Sequence, residues 1–368
     1  MPRKSTTDAM FALRMLMEKF REGQKELHCV FVDLDDRVPR EELSYFMRKS
    51  GVAEKYLRVV QDMYEGSVTV MRSAVGVMDA FKMEVGLHQG SALSPFLFAM
   101  VMDRLTDEIR QESTWMMFAD DIVIYSDSRD QVEETLERWR TALERRGMKV
   151  SRNKTEFMCV NEREVSGMVR MQGVELVKVD EFKYLGSTVQ SNGGCGREVK
   201  KRVQAGWNGW RRVSGMICDR RVSARVKGKV YRTVVRPAML CGLETVALTR
   251  KQETELEVAE LKMIRFALSV TRMDRIKNED IRGSAQVGRL GDKVREVRLS
   301  WFGHVQRRDA GYIGRKMLRI ELPGKRKRGR PKRRFMDVVR EDMQVMGVTE
   351  QNTEDRKIWK KMIRCGDP

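Results

Sequence analysis

Apolar positions fall into short solid runs in the first half of the chain and into helical stripes in the second. Cys29-Val30-Phe31-Val32 ends on Asp33-Leu34-Asp35-Asp36, the pattern of a central strand covered on both faces. Trp115-Met116-Met117-Phe118-Ala119 and Ile122-Val123-Ile124-Tyr125 flank Asp120-Asp121, which reads as two strands joined by a tight turn with the acids at its tip. Met10, Leu13, Met17 and Phe20 predict a helix capped by Asp8 and ended by Gly23. Further helices open at Pro39, run over 53–64, and start from Ser94 as N-cap with Pro95 at the first helical position, reaching about Arg110. Val and Thr around Gly76 suggest strands over 68–75 and 77–85. Asp130 caps a helix with Val132, Leu136, Trp139 and Leu143 inward and Gly147 at its end. A strand over 155–160 and a hairpin over 181–189 follow. This order predicts an α+β fold, an antiparallel sheet with helices mostly on one face and Asp33, Asp120 and Asp121 on the open face.

Aspartate is a common turn residue, so the hairpin by itself also fits an ordinary acidic turn. A carboxylate at the end of each of two neighbouring strands changes the picture, because such groups can converge on one point. With three His in the chain, the oxygen ligands favour Mg²⁺ or Mn²⁺, and a pair of these ions clamps the attacking and leaving oxygens of a phosphoryl displacement. The loop from Gly86 to Pro95 offers small side chains and backbone N–H groups that let a nucleotide or template base approach closely; a plain helix cap explains the same residues.

The charge is divided unevenly. Residues 1–190 hold 28 Lys and Arg against 32 Asp and Glu, net −4, and residues 191–368 hold 44 against 21, net +23. A total of +19 makes an acidic polymer the natural partner, and 41% hydrophobic residues over 368 positions allow two or three packed domains. Six scattered cysteines without a C-x-x-C pair argue against a disulfide framework and against zinc. No apolar run reaches the roughly 18 residues of a membrane span, so no membrane partner is expected, and the location is expected to be intracellular.

Four segments together resemble a reverse transcriptase of the non-LTR, LINE-type retrotransposons, particularly the RTE-like group. Phe31-Val32-Asp33-Leu34 is similar to the first carboxylate motif, Gly86 to Pro95 to the nucleotide-positioning loop, and Phe118-Ala119-Asp120-Asp121 to the F-A-D-D signature. Lys154, within Gly147 to Thr155, and Tyr184-Leu185-Gly186 match the two segments that follow in that family. The resemblance implies RNA-directed DNA synthesis, in which a primer 3′-hydroxyl attacks the α-phosphate of a deoxynucleotide. It implies Asp33, Asp120 and Asp121 as holders of two divalent metals, Mg²⁺ or Mn²⁺, and Gln89, Gly90 and Ser91 as the nucleotide and template pocket. Lys154 would offset charge near the pyrophosphate, a position that a solvated surface lysine also fits, and Tyr184, Leu185 and Gly186 would grip the primer. The implied partners are an RNA template, a DNA primer and dNTP.

The sequence also departs from the family pattern. The first motif usually continues D-x-x-x-A-[FY]-D, whereas Asp33-Leu34 here runs straight into Asp35-Asp36-Arg37-Val38-Pro39, about three residues short by that pattern and without the aromatic that excludes a ribose 2′-hydroxyl. Such a loss is expected to move Asp33 and to weaken or abolish activity. The expected organisation is a fingers remnant over 1–27, a palm over 28–190, a helical basic thumb over 191–320 and a basic C-terminal tail over 321–368, from a copy shortened upstream.

In the basic half, Lys and Arg interleave with aromatics around Trp207 and Trp210, which suits a phosphate backbone and stacked bases as well as a solvated helix face. Lys325, Arg326, Lys327, Arg328 and Arg330 are the densest positive charge. Arg328-Gly329-Arg330-Pro331 resembles an AT-hook core, while non-specific nucleic-acid binding, ranked first, and nuclear import fit the same residues. Two readings stand: a polymerase, or a catalytically inactive nucleic-acid-binding remnant.

Overall fold

Every residue of Leu27–Val32 is buried, and this strand, β1, is the centre of a five-stranded sheet. In the computed structural model, which describes residues 5–34, 38–73, 76–83, 85–88, 90–107, 109, 115–162, 167–323 and 332–367, β1 is joined by β2 (Trp115–Phe118), β3 (Asp121–Ser126), β4 (Glu156–Val160) and β5 (Val177–Lys178). Their order is β5-β4-β1-β3-β2. All pairings are antiparallel except that of β5 with β4, so the sheet is mixed at one edge.

Val30 and Val32 of β1, Ile122 and Ile124 of β3, and Phe157 and Cys159 of β4 share a face by their period-two spacing. They build one core with the helices Arg40–Lys49, Glu54–Tyr64, Ser94–Thr106 and Arg129–Glu144. Trp139, Leu136 and Leu143 of the last helix are fully buried in it, as their spacing predicts. The unit is thus α+β, with these helices packed on the sheet face of Val30 and Val32.

Local details differ from the sequence reading in instructive ways. The strands expected over 68–85 shrink to Val68–Thr69 paired with Phe81–Lys82 and Arg72–Ser73 paired with Gly76–Val77. Val68, Val70, Val77 and Met78 are exposed, so this ribbon has no core face to extend its pairing. Ser128 caps the helix expected from Asp130. The helix Ser94–Thr106 has Leu93 as its N-cap, because the Ser94 hydroxyl instead donates to the His88 carbonyl at 2.6 Å.

Residues 26–180 form one compact unit; 5–25 with 181–368 form the other. The helix Thr6–Glu22, expected within a fingers remnant, packs in the second unit, where Phe11 meets Trp301 and Phe335 edge-on. Its N-cap is Ser5 rather than Asp8, whose carboxylate accepts from the Ser5 backbone in a reciprocal capping box. Around the helix Arg250–Ala267, Leu256, Met263 and Ile264 anchor the second core. Glu260 of that helix is fully buried and accepts from the Tyr231 hydroxyl and the Leu290 N–H, with Arg282 and Arg236 alongside. Among the described residues, no helix is long and apolar enough to cross a membrane.

Candidate active site

The pairing of β1 with β3 ends at Val32 opposite Ile122, so the same register carried one step further sets Asp33 opposite Asp121. Opposed residues of an antiparallel pair point to the same side, here the face opposite that of Val30 and Val32. Cys29, Phe31, Val123 and Met158 on that face are buried, so the sheet face expected to be open is covered along the strands, and only its end carries the acids. On β2–β3, Phe118 pairs with Asp121, which leaves Ala119 and Asp120 as a two-residue turn. Ala119 takes φ +55°, a left-handed conformation that a residue with a Cβ seldom adopts, so the tip that carries Asp120 is strained.

The three acids feel one another. Half-burial pushes the Asp121 carboxyl up to about 6, and the neighbouring charges of Asp120 and Asp33 add to that shift. The Lys154 ammonium lies 3.8 Å from an Asp33 oxygen, with 65% and 46% of the two side chains exposed, so this pair is solvent-screened. A set of mutually repelling carboxylate oxygens with an exposed mouth fits a hard divalent cation, which relieves the repulsion.

Asp33 is held from the side, a feature the sequence reading missed. Its N–H donates to the Thr155 hydroxyl at 3.4 Å, that hydroxyl donates to the Ser151 carbonyl at 2.8 Å, and the Ser151 N–H donates back to the Asp33 carbonyl at 2.8 Å. Leu34 bridges to Val150 in the same clamp, and Thr155 is fully buried. The one signal available in sequence was the short distance of Thr155 from Lys154 in a matched segment.

The loop before Ser94 is pinned by its bond to His88, whose N–H reaches the Tyr64 hydroxyl at 3.4 Å. Gly90 sits at φ +85°, and the Ser91 hydroxyl accepts from Leu93 N–H. Gln89 lies outside the described residues, as do Lys325, Arg326, Lys327, Arg328 and Arg330. In the second unit, Tyr184 ends one strand of the hairpin Glu181–Tyr184 with Ser187–Gln190. Leu185 and Gly186 form its turn at φ +48° and +78°, the twist that two-residue hairpins prefer. The Tyr184 side chain is 1% exposed, whereas Gly186 is exposed and its carbonyl accepts from Arg202 at 2.7 Å.

Residues 1–189, more than half of the chain, match the family model described as reverse transcriptase (RNA-dependent DNA polymerase). The chain belongs to the reverse transcriptase family. A transposon-derived protein of Caenorhabditis elegans is 25% identical over 269 residues, covering 68% of this chain and 95% of its own length. The RNA-directed DNA polymerase from the mobile element jockey of Drosophila funebris is 25% identical over 311 residues, 78% of this chain and 32% of that protein. The Pol polyprotein of the type-2 retrotransposable element R2DM of Drosophila melanogaster is 26% identical over 189 residues, 45% of this chain and 18% of that protein. This reverse transcriptase is thus of the LINE type, and it spans a third or less of the two polymerases it matches. Among solved structures, a telomerase of Candida tropicalis is 12% identical with a TM-score of 0.40, covering 85% of this chain and 51% of that one.

Proposed function

We propose that the chain is the polymerising part of a retrotransposon reverse transcriptase, adding deoxynucleotides to a DNA primer on an RNA template. The observation that carries this reading is the placement of Asp33 opposite Asp121 beside the Asp120 turn, with the Asp121 carboxyl raised by burial and its two neighbours. Asp33 and Asp120 would hold two divalent cations, Mg²⁺ or Mn²⁺, with Asp121 in support. Bound there, such ions lower the pKa of a primer 3′-hydroxyl and balance charge at the phosphate under attack.

The chain's own groups supply the rest. Lys154, exposed beside Asp33, offsets negative charge on the departing pyrophosphate. Gln89, Gly90 and Ser91 border the nucleotide and template pocket, and the pinned Ser94–His88 contact keeps that loop in one place. Because the Tyr184 side chain is buried, contact with a primer falls to Leu185 and Gly186, while Tyr184 anchors the hairpin from below. The basic residues of the C-terminal half, Lys325 to Arg330 included, give salt-dependent hold on the nucleic acid.

The test is Mg²⁺-dependent extension of a DNA primer on an RNA template, with a chain carrying Asp120→Ala and Asp121→Ala as control. Extension that disappears in the control supports the reading. No extension, with salt-sensitive binding of primer and template retained, would leave the inactive nucleic-acid-binding remnant in its place.

A further inference from the structure

At the end of β1 remote from Asp33, three side chains of different chemistry meet. Glu26, His28 and Cys159 place one ligand atom each so that all lie within 4.8 Å of one another. His28 and Cys159 are opposed partners in the β1–β4 register, and their side chains therefore leave the sheet side by side on the helix-covered face. His28 is 3% exposed and Cys159 is 4% exposed, while Glu26 is half-buried and opens the cluster to solvent. The imidazole stacks flat on Phe157 at 5.9 Å with an interplanar angle of 9°, which fixes its plane.

The polar accounting at this spot is incomplete. Nδ1 of His28 is buried and has no hydrogen-bond partner, and Nε2 faces a Glu26 oxygen at 3.6 Å, beyond hydrogen-bonding distance. A buried imidazole nitrogen without a partner costs free energy that a bound ligand would recover. Burial also pushes the His28 imidazolium down. Cys159 is a thiol, outside any disulfide.

We propose that Glu26, His28 and Cys159 form a transition-metal site, of a kind suited to Zn²⁺, that ties strand β1 to β4. The donor set is one nitrogen, one sulfur and one carboxylate oxygen, the mixture that borderline-soft Zn²⁺ accepts and that Mg²⁺ does not. A tetrahedral ion with bonds of about 2.0–2.3 Å draws its ligand atoms to within ~3–4 Å of one another, a small side-chain adjustment from the present spacing. Binding replaces the thiol proton: the Cys159 S–H bond breaks, a zinc–sulfur bond forms, and one proton leaves to solvent. The proposal leaves the fourth position to water, the Glu162 carboxylate being paired with Lys178 at 2.5 Å. The acids proposed for catalysis stand at the other end of the same strand and offer oxygen ligands alone, so the two sites suit different ions. The spacing rules that argue against zinc read ligands along the chain; this set is assembled across a sheet.

The experiment uses the full chain, stripped with a chelator and kept in excess Mg²⁺ so that the aspartates are saturated. Zn²⁺ is titrated against a chromophoric competitor, and Co²⁺ is added to a second sample to look for the near-ultraviolet band of a cobalt–thiolate bond. One tight equivalent of Zn²⁺ per chain, a cobalt–thiolate band, and loss of both in Cys159→Ser but not in Cys218→Ser support the site. His28→Gln and Glu26→Gln should each weaken Zn²⁺ binding at least tenfold. Should Cys159→Ser fail to fold, the cobalt spectrum of the unaltered chain and the partly exposed Glu26→Gln variant decide. Absence of the band, or Zn²⁺ binding unchanged by Glu26→Gln, would overturn the proposal.

Discussion

The Lys154 ammonium stands 3.8 Å from a carboxylate oxygen of Asp33 with most of its surface in water. Exposed pairs of this kind contribute about 0–1 kcal/mol to stability. Lys154→Ala should therefore leave the melting temperature within a degree or two while reducing primer extension about tenfold, through loss of charge beside the leaving pyrophosphate. Calorimetry and single-nucleotide extension on one preparation check this; a large drop in melting temperature would make the pair structural instead.

Thr155 carries the clamp on Asp33. Thr155→Val keeps the shape but removes the hydroxyl that accepts from the Asp33 N–H, at an expected cost of about 1–3 kcal/mol. Thr155→Ser keeps the hydroxyl and should retain most of the stability and activity. Equal loss in both variants, seen in urea unfolding, would assign Thr155 to packing alone.

Asp121 gives a pH signature in the metal-free chain. Its folded carboxyl is raised to about 6 from an ordinary 3.8, mainly by burial. A raised carboxylate binds its proton more tightly folded than unfolded, so it favours the fold at acid pH and opposes it as pH rises through about 6. Asp121→Asn should raise the melting temperature at about pH 8 and gain less at about pH 5. Added Mg²⁺ should stabilise the unaltered chain at about pH 8 and the variant much less. Thermal scans at both pH values measure it, and a variant destabilised at the higher pH would contradict the placement.

Glu18 of the helix Thr6–Glu22 tests the second unit in the same way. Burial pushes its carboxyl up to about 7, against the opposing pull of the Phe335 N–H bond at 2.9 Å. Its contribution is fully present below the unfolded value of about 4.5 and is lost as pH rises through about 7. Glu18→Gln keeps an acceptor for Phe335 and should stabilise the chain by on the order of 2 kcal/mol at about pH 8, with little effect at about pH 5.

The acids were legible in sequence because their signals are local. A solid apolar run ending at Asp33 and a turn at Asp120 between two such runs determine strands, and period two then determines which face Asp33 and Asp121 share. Cap positions missed by two or three residues, since Ser128 and Asp130, or Ser5 and Asp8, are all competent at a helix start and only the backbone path chooses. The exposed strands over 68–85 were overextended because Val and Thr propensity says nothing about whether a core exists to pack on. The bond from Asp33 to Thr155 and the meeting of His28 with Cys159 were illegible for a common reason. Each depends on the β1–β4 pairing, which no local spacing encodes.

The clamp of Asp33 by Ser151 and Thr155 bears on how such a chain can vary. The backbone of Asp33 is fixed by a neighbouring segment, and Leu34 is fixed by Val150. The carboxylate is thereby held from the β4 side as well as by its own strand. Ser151 takes part through its backbone alone, whereas Thr155 contributes its hydroxyl, so the hold on Asp33 depends on which side chain stands at 155 and only on the backbone path at 151.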